Sequence, residues 1–131
     1  MKKSDLMGLG VPPLLAERLG NEAFIVTAQG ATRASAAVLG RSQYLNTVTA
    51  TNSGAGVVLP GLGGDNGCLI GDDFIINNQV AGGITLYAPT GTTISMLGSA
   101  QSGSGGVALS SHTTATLYPV TVTTWIGCVG T

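Results

Sequence analysis

Formal charge is what this sequence has least of. Lys, Arg, Asp and Glu make up 8% of its 131 residues, against roughly 25% in an ordinary globular chain. All five basic residues, Lys2, Lys3, Arg18, Arg33 and Arg41, fall in the first 41 positions, and the remainder holds only Asp65, Asp72 and Asp73. A nucleic-acid binder neutralises phosphates with a basic stripe, which this body cannot form. Histidine occurs once, as His112, and cysteine twice, as Cys68 and Cys128 with no CxxC spacing. That set cannot build a four-ligand zinc site within one chain. The two thiols read as buried small hydrophobes, with a disulfide as the alternative.

Long apolar runs are missing too. The 58 residues after Asp73 carry no charge, yet Gly, Thr and Ser interrupt every apolar stretch. A spanning helix needs about 18 or more apolar residues in succession, so no membrane helix is expected. Lys2-Lys3 is followed by Ser4-Asp5 rather than by the apolar core of a signal peptide, which points to synthesis in the cytosol.

Catalytic groups are equally sparse. His112 is the one ordinary base for neutral pH, and neighbouring Ser110 and Ser111 lack a G-x-S-x-G context. Asp72 and Asp73 are consecutive, so on a strand they face opposite ways; together with Asp65 they read as solvated turn acids, a cation site being the alternative. The glycine-rich stretch Gly61–Gly67 follows an apolar strand but is followed by Cys68-Leu69-Ile70 rather than by a Lys and a helix, so it is a loop and not a phosphate cradle. Neither an enzymatic activity nor a cofactor is expected.

What the sequence does contain is small and β-favouring. Gly, Ala, Ser and Thr occupy 61 positions, and 44% of the chain is hydrophobic, which excludes a disordered solvating tail. Residues 4–20 are the one helical stretch: Ser4 caps it, Pro12-Pro13 open a second turn, and Gly20 stops it. Its Leu6-Met7-Gly8-Leu9-Gly10 segment resembles the glycine hairpin of helix-hairpin-helix modules, but Pro12 and Pro13 remove amide donors and only Arg18 follows nearby. An amphipathic arm packing on its own or a neighbouring subunit fits better.

From Glu22 onward, short apolar or Thr-rich segments alternate with Gly, Asn and Ser. Strands are expected over 23–28, 33–39, 44–50, 56–59, 68–70, 74–77, 84–88, 93–97, 107–109, 114–118 and 125–129. Residues 98–106 have linker composition and read as an exposed mobile tip. Thr85-Leu86-Tyr87 with Thr90, Thr92 and Thr93 recurs 31 residues on as Thr116-Leu117-Tyr118 with Thr121, Thr123 and Thr124, which suggests two similar strand-turn-strand units.

The segments Gly71-Asp72-Asp73-Phe74-Ile75-Ile76-Asn77-Asn78, Ile84–Ile94 and Thr124-Trp125-Ile126-Gly127, with an opening Asp5-Leu6-Met7-Gly8-Leu9-Gly10-Val11-Pro12, resemble small virion structural proteins of tailed bacteriophages. The likeness touches about two-thirds of the chain through short structural motifs; the 98–106 insertion and the Thr-rich end lie outside it. It implies a head decoration, cement or fibre protein, present in many copies, commonly as a homotrimer, without catalysis.

Together these readings predict an all-β sandwich or jelly-roll-like domain over 22–131 and a short helical N-terminal arm over 1–21. The expected role is capsid decoration: binding the outer head surface of the virion, assembled in the host cytoplasm, with the major capsid protein and the chain itself as partners and no nucleic acid or membrane. The alternative is a tail or fibre module adhering to a host surface. Net charge of −1 offers little repulsion between copies. Interface candidates are Leu6, Leu9, Leu14, Leu15 and Leu19 as apolar contacts, with Arg18, Arg33 and Arg41 as partners for acidic capsid residues. Trp125 anchors either the core or a subunit interface.

Overall fold

The computed structural model describes residues 7–10, 12, 23–39, 45–49, 54–63, 68–97, 102–103 and 106–130. Among them the chain forms β1 (Ala23–Thr27), β2 (Ala37–Val38), β3 (Leu45–Thr49), β4 (Gly56–Val58), β5 (Phe74–Asn78), β6 (Ile84–Tyr87), β7 (Thr93–Met96), β8 (Ser102–Gly103), β9 (Val107–Leu109), β10 (Thr114–Thr121) and β11 (Thr124–Gly130). They build a seven-stranded sheet, in the order β1-β3-β5-β10-β11-β7-β8, and a four-stranded sheet, β2-β4-β6-β9. The all-β expectation holds.

The pairing is less usual. From β1 to β6 the chain alternates between sheets at every strand, and β1, β3 and β5 pair parallel in one sheet as β2, β4 and β6 do in the other. Parallel neighbours need a crossover connection, commonly a helix. Here the opposite sheet supplies it, so the chain winds as a flattened coil. Successive coils stack inward-facing side chains in columns. Ala37, Val57 and Leu86 align across the smaller sheet, and Phe24, Asn46 and Ile76 across the larger. Leu39 and Leu59, just past their strands, donate backbone hydrogen bonds to Val58 and Tyr87 at 3.0 and 2.9 Å, extending the stack beyond the formal strands.

The last part of the chain closes the structure differently. β9 pairs antiparallel to β6, while the β10–β11 hairpin inserts between β5 and β7. Its inward residues Leu117 and Trp125 are fully buried, and the Trp125 ring meets Phe74 edge to face at 5.9 Å and 67°. Gly127 lies between Leu117 and Met96, where a Cβ would come within 2.6 and 2.7 Å of them. Side chains of both sheets, including Val48, Ile76, Val57 and Leu86, form one core.

Buried Asn78 fastens the two sheets at their rim. Its Nδ2 donates to the carbonyls of Leu109 and Ser110 at 3.2 and 2.9 Å, and its Oδ1 accepts from Val80 N–H at 2.9 Å. On the outer side of the smaller sheet, Tyr87 lies over Gly56 beside Ala36 and Val58, and its hydroxyl donates to the Ala31 carbonyl at 2.9 Å. That hydrogen bond ties the 31–36 turn to the sheet.

Several expectations change. Among the described residues five of the nine strand pairings are parallel, unlike the antiparallel Greek keys of a jelly roll. The stretch 33–39 is strand only at Ala37–Val38, because residues 33–35 form a turn in which Thr32 and Ser35 hydrogen-bond at 2.9 Å. Cys68 makes only an isolated bridge to Leu62, and a turn follows at Ile70–Gly71. Within 98–106, Ser102–Gly103 pairs with Ile94 and Ser95 as an edge strand. The two Thr-Leu-Tyr echoes are not equivalent: the first spans a crossover between sheets and the second a hairpin within one, so Tyr87 is buried where Tyr118 is exposed. Of the helical stretch 4–20, Met7 and Gly8 have helical backbone, closed by a Gly10 N–H to Met7 carbonyl bond of 3.0 Å. Apart from residues 7–10 and 12, the arm lies outside the described residues.

Candidate functional site

The groups that carry chemistry are dispersed. His112 sits exposed at a positive φ of 55° in the β9–β10 turn beside Ser110 and Ser111, whose backbone is occupied with turn formation: the Ser110 carbonyl accepts from the Thr113 hydroxyl at 2.8 Å. Asp72 closes its own turn, accepting the Leu69 N–H at 2.7 Å while its own N–H donates to the Leu69 carbonyl at 3.0 Å. Asp73 is exposed, and Asp65 lies outside the described residues. Among the described residues no group of three His, Cys, Asp or Glu side chains could hold a metal ion.

The thiols differ from the expected buried pair. Cys68 is buried and Cys128 exposed, and they are not joined in a disulfide. On β11, Trp125 and Gly127 point inward, so alternation turns Cys128 outward, beside Thr116 of β10.

The described residues also present distinctive surface. Three features stand out. The first is the open end of the coil, where β1 and β2 form the edges of their sheets and expose Ile25 (81%) and Val38 (76%). The second lies at the tip of the β10–β11 hairpin, where exposed Val122 joins Leu62, Leu69 and Ile70 around a recess of about 270 Å³ floored in part by Cys68. The Gly71 N–H holds this turn against β10 through a 3.1 Å bond to the Pro119 carbonyl. The third is the outward face of the seven-stranded sheet, which is rich in Thr and carries no formal charge over β1, β3, β5, β10, β11 and β7.

Three of the interface candidates fall in described segments. Leu9 is exposed at 74%, as an apolar contact requires, and Arg33 is half-buried in the 31–36 turn. Trp125 belongs to the chain's own core, fully enclosed against Phe74, and offers nothing to a partner's surface. Leu6, Leu14, Leu15, Leu19, Arg18 and Arg41 lie outside the described residues. Sequence reasoning missed the Leu69-Ile70 turn, because two aliphatics after a cysteine read as strand. No protein-family model, curated protein or solved structure matches the chain.

Proposed function

We propose that this chain is a bacteriophage capsid decoration protein, which binds the outer head surface as a homotrimer and stabilises contacts between major capsid subunits. One observation carries the reading: aliphatic side chains stand exposed at the coil end and the hairpin tip, while the described residues hold only Arg33, Asp72 and Asp73 as charged groups. Interface cores are depleted of charge in the same way. Exposed strand edges usually carry lysine or proline that discourages pairing, and β1, with the sequence AFIVT, carries neither.

The work done is mechanical. Apolar surface bridging two capsid subunits contributes roughly 25 cal/mol per Å² buried, before the entropy of association is subtracted. The arm leucines and Arg18, Arg33 and Arg41 supply further contacts with the shell. The test is saturable binding of the purified chain to phage heads that lack it, with a raised temperature of head disruption. Absence of binding to heads, together with binding to host cells, replaces this reading with the adhesion module.

A further inference from the structure

Given the reading of the chain as a self-associating structural protein, we propose that the outward face of the seven-stranded sheet is the surface through which copies of this chain meet one another. The register places its side chains in rows. Ile25, Thr47, Asn77 and Thr114 align across β1, β3, β5 and β10. Ile75, Thr116 and Cys128 align across β5, β10 and β11, and Tyr118, Ile126 and Ser95 across β10, β11 and β7. None of these positions holds Lys, Arg, Glu or Asp, residues that make up roughly 25–35% of a well-behaved soluble surface.

Among the described residues the three formal charges lie off these strands or at the margin of the face, where exposed Asp73 directly precedes Phe74. Arg33 is in the turn over the smaller sheet, and Asp72 and Asp73 precede β5. A face with no charge leaves none unpaired when it meets its own copy, whereas a charged partner would have its ions desolvated against threonine methyls. Size agrees. Six strands about 4.8 Å apart, each contributing about 17 Å of length, present roughly 500 Å² in projection, and more with side-chain relief. Each partner of a standard interface contributes about 800 Å². Two such faces stack about 10 Å apart, as sheets do within a sandwich, and three can line a three-fold axis; the measured mass gives the number.

Cys128 reports on this face without any mutation, because it lies within one of the rows while Cys68 is buried. The experiment measures thiol modification of the full chain across a dilution series, alongside sedimentation mass. Cys128 should react in dilute solution and become at least ten-fold slower as oligomer forms. Thr116→Lys, at the centre of the face, should weaken association at least 100-fold with an unchanged circular dichroism spectrum, as should Thr47→Lys. Thr90→Lys, in an exposed turn off the face, should not. An oligomer in which Cys128 reacts freely and both lysine variants associate normally overturns this assignment but leaves capsid decoration standing. A chain that stays monomeric yet shields Cys128 on binding phage heads also overturns it, and gives the face to the capsid protein. A chain that neither associates nor binds heads removes the functional reading itself.

Discussion

Replacing Asn78 tests how the two sheets are fastened. Its carboxamide makes three hydrogen bonds at 2.9, 3.2 and 2.9 Å within a fully buried site. In Asn78→Leu all three disappear. The Thr113 hydroxyl still bonds the Ser110 carbonyl at 2.8 Å, so that acceptor keeps a partner, whereas Val80 N–H loses its acceptor. A typical hydrogen bond contributes about 0.5–1.5 kcal/mol net, and a buried group left unsatisfied costs about 1–3 kcal/mol, so a loss of about 2–4 kcal/mol is expected after the gain from leucine's apolar atoms. Urea unfolding at fixed protein concentration measures it. Asn78→Asp sharpens the test, because an ionised carboxylate can accept from Val80 N–H but faces two carbonyl oxygens. Protonation restores a donor, so the folded state binds the proton more tightly than the unfolded chain. Stability of Asn78→Asp should therefore rise as pH falls through the carboxyl range and decline above it. A loss under about 1 kcal/mol for Asn78→Leu, or an Asp variant with the pH profile of the parent, would refute the reasoning.

Other positions follow from the same geometry. Tyr87→Phe removes the hydroxyl bond to Ala31 and should cost about 0.5–1.5 kcal/mol, with faster amide exchange confined to the 31–36 turn. Gly127→Ala drives a methyl into Leu117 and Met96 and should destabilise by about 1–3 kcal/mol in thermal unfolding. Trp125→Ala empties the largest buried site and should cost about 3–5 kcal/mol, while the native fluorescence of this single tryptophan should be blue-shifted and resist quenching by iodide.

Strand positions were legible where short apolar or Thr-rich runs lie between turn residues. The stretch 74–77 reads as strand, and along Phe74–Asn78 burial alternates although the sequence does not. Parallel pairing was not legible, since a strand's two-residue period is the same whichever way its neighbour runs. Nor did the coil leave a repeat to find. Ala23 aligns with Leu45 and Leu45 with Ile75, steps of 22 and 30 residues, so the unequal crossovers erase any fixed period. The threonines at 47, 49, 114 and 116 were visible from the start, but only register shows that Thr47 and Thr114 flank Asn77 on one face.

The coil also bears on how so uncharged a chain, if it assembles as proposed, limits open-ended pairing. Most strands here are two to five residues long, and the two coil-end edges, β1 and β2, measure five and two. Two-residue β2 offers few backbone groups to an unwanted partner, whereas β1 is of ordinary length and is the edge left open to pairing. The face of a sheet behaves differently. Its backbone groups are already paired across the sheet, so another copy can contact it only through side chains. Contact of that kind depends on the fit between rows of branched side chains and can close on itself, whereas edge pairing propagates without limit. The proposed self-association through the face therefore asks for formal charge to be kept off its strands, and leaves β1 as the edge that a partner or the arm must cover.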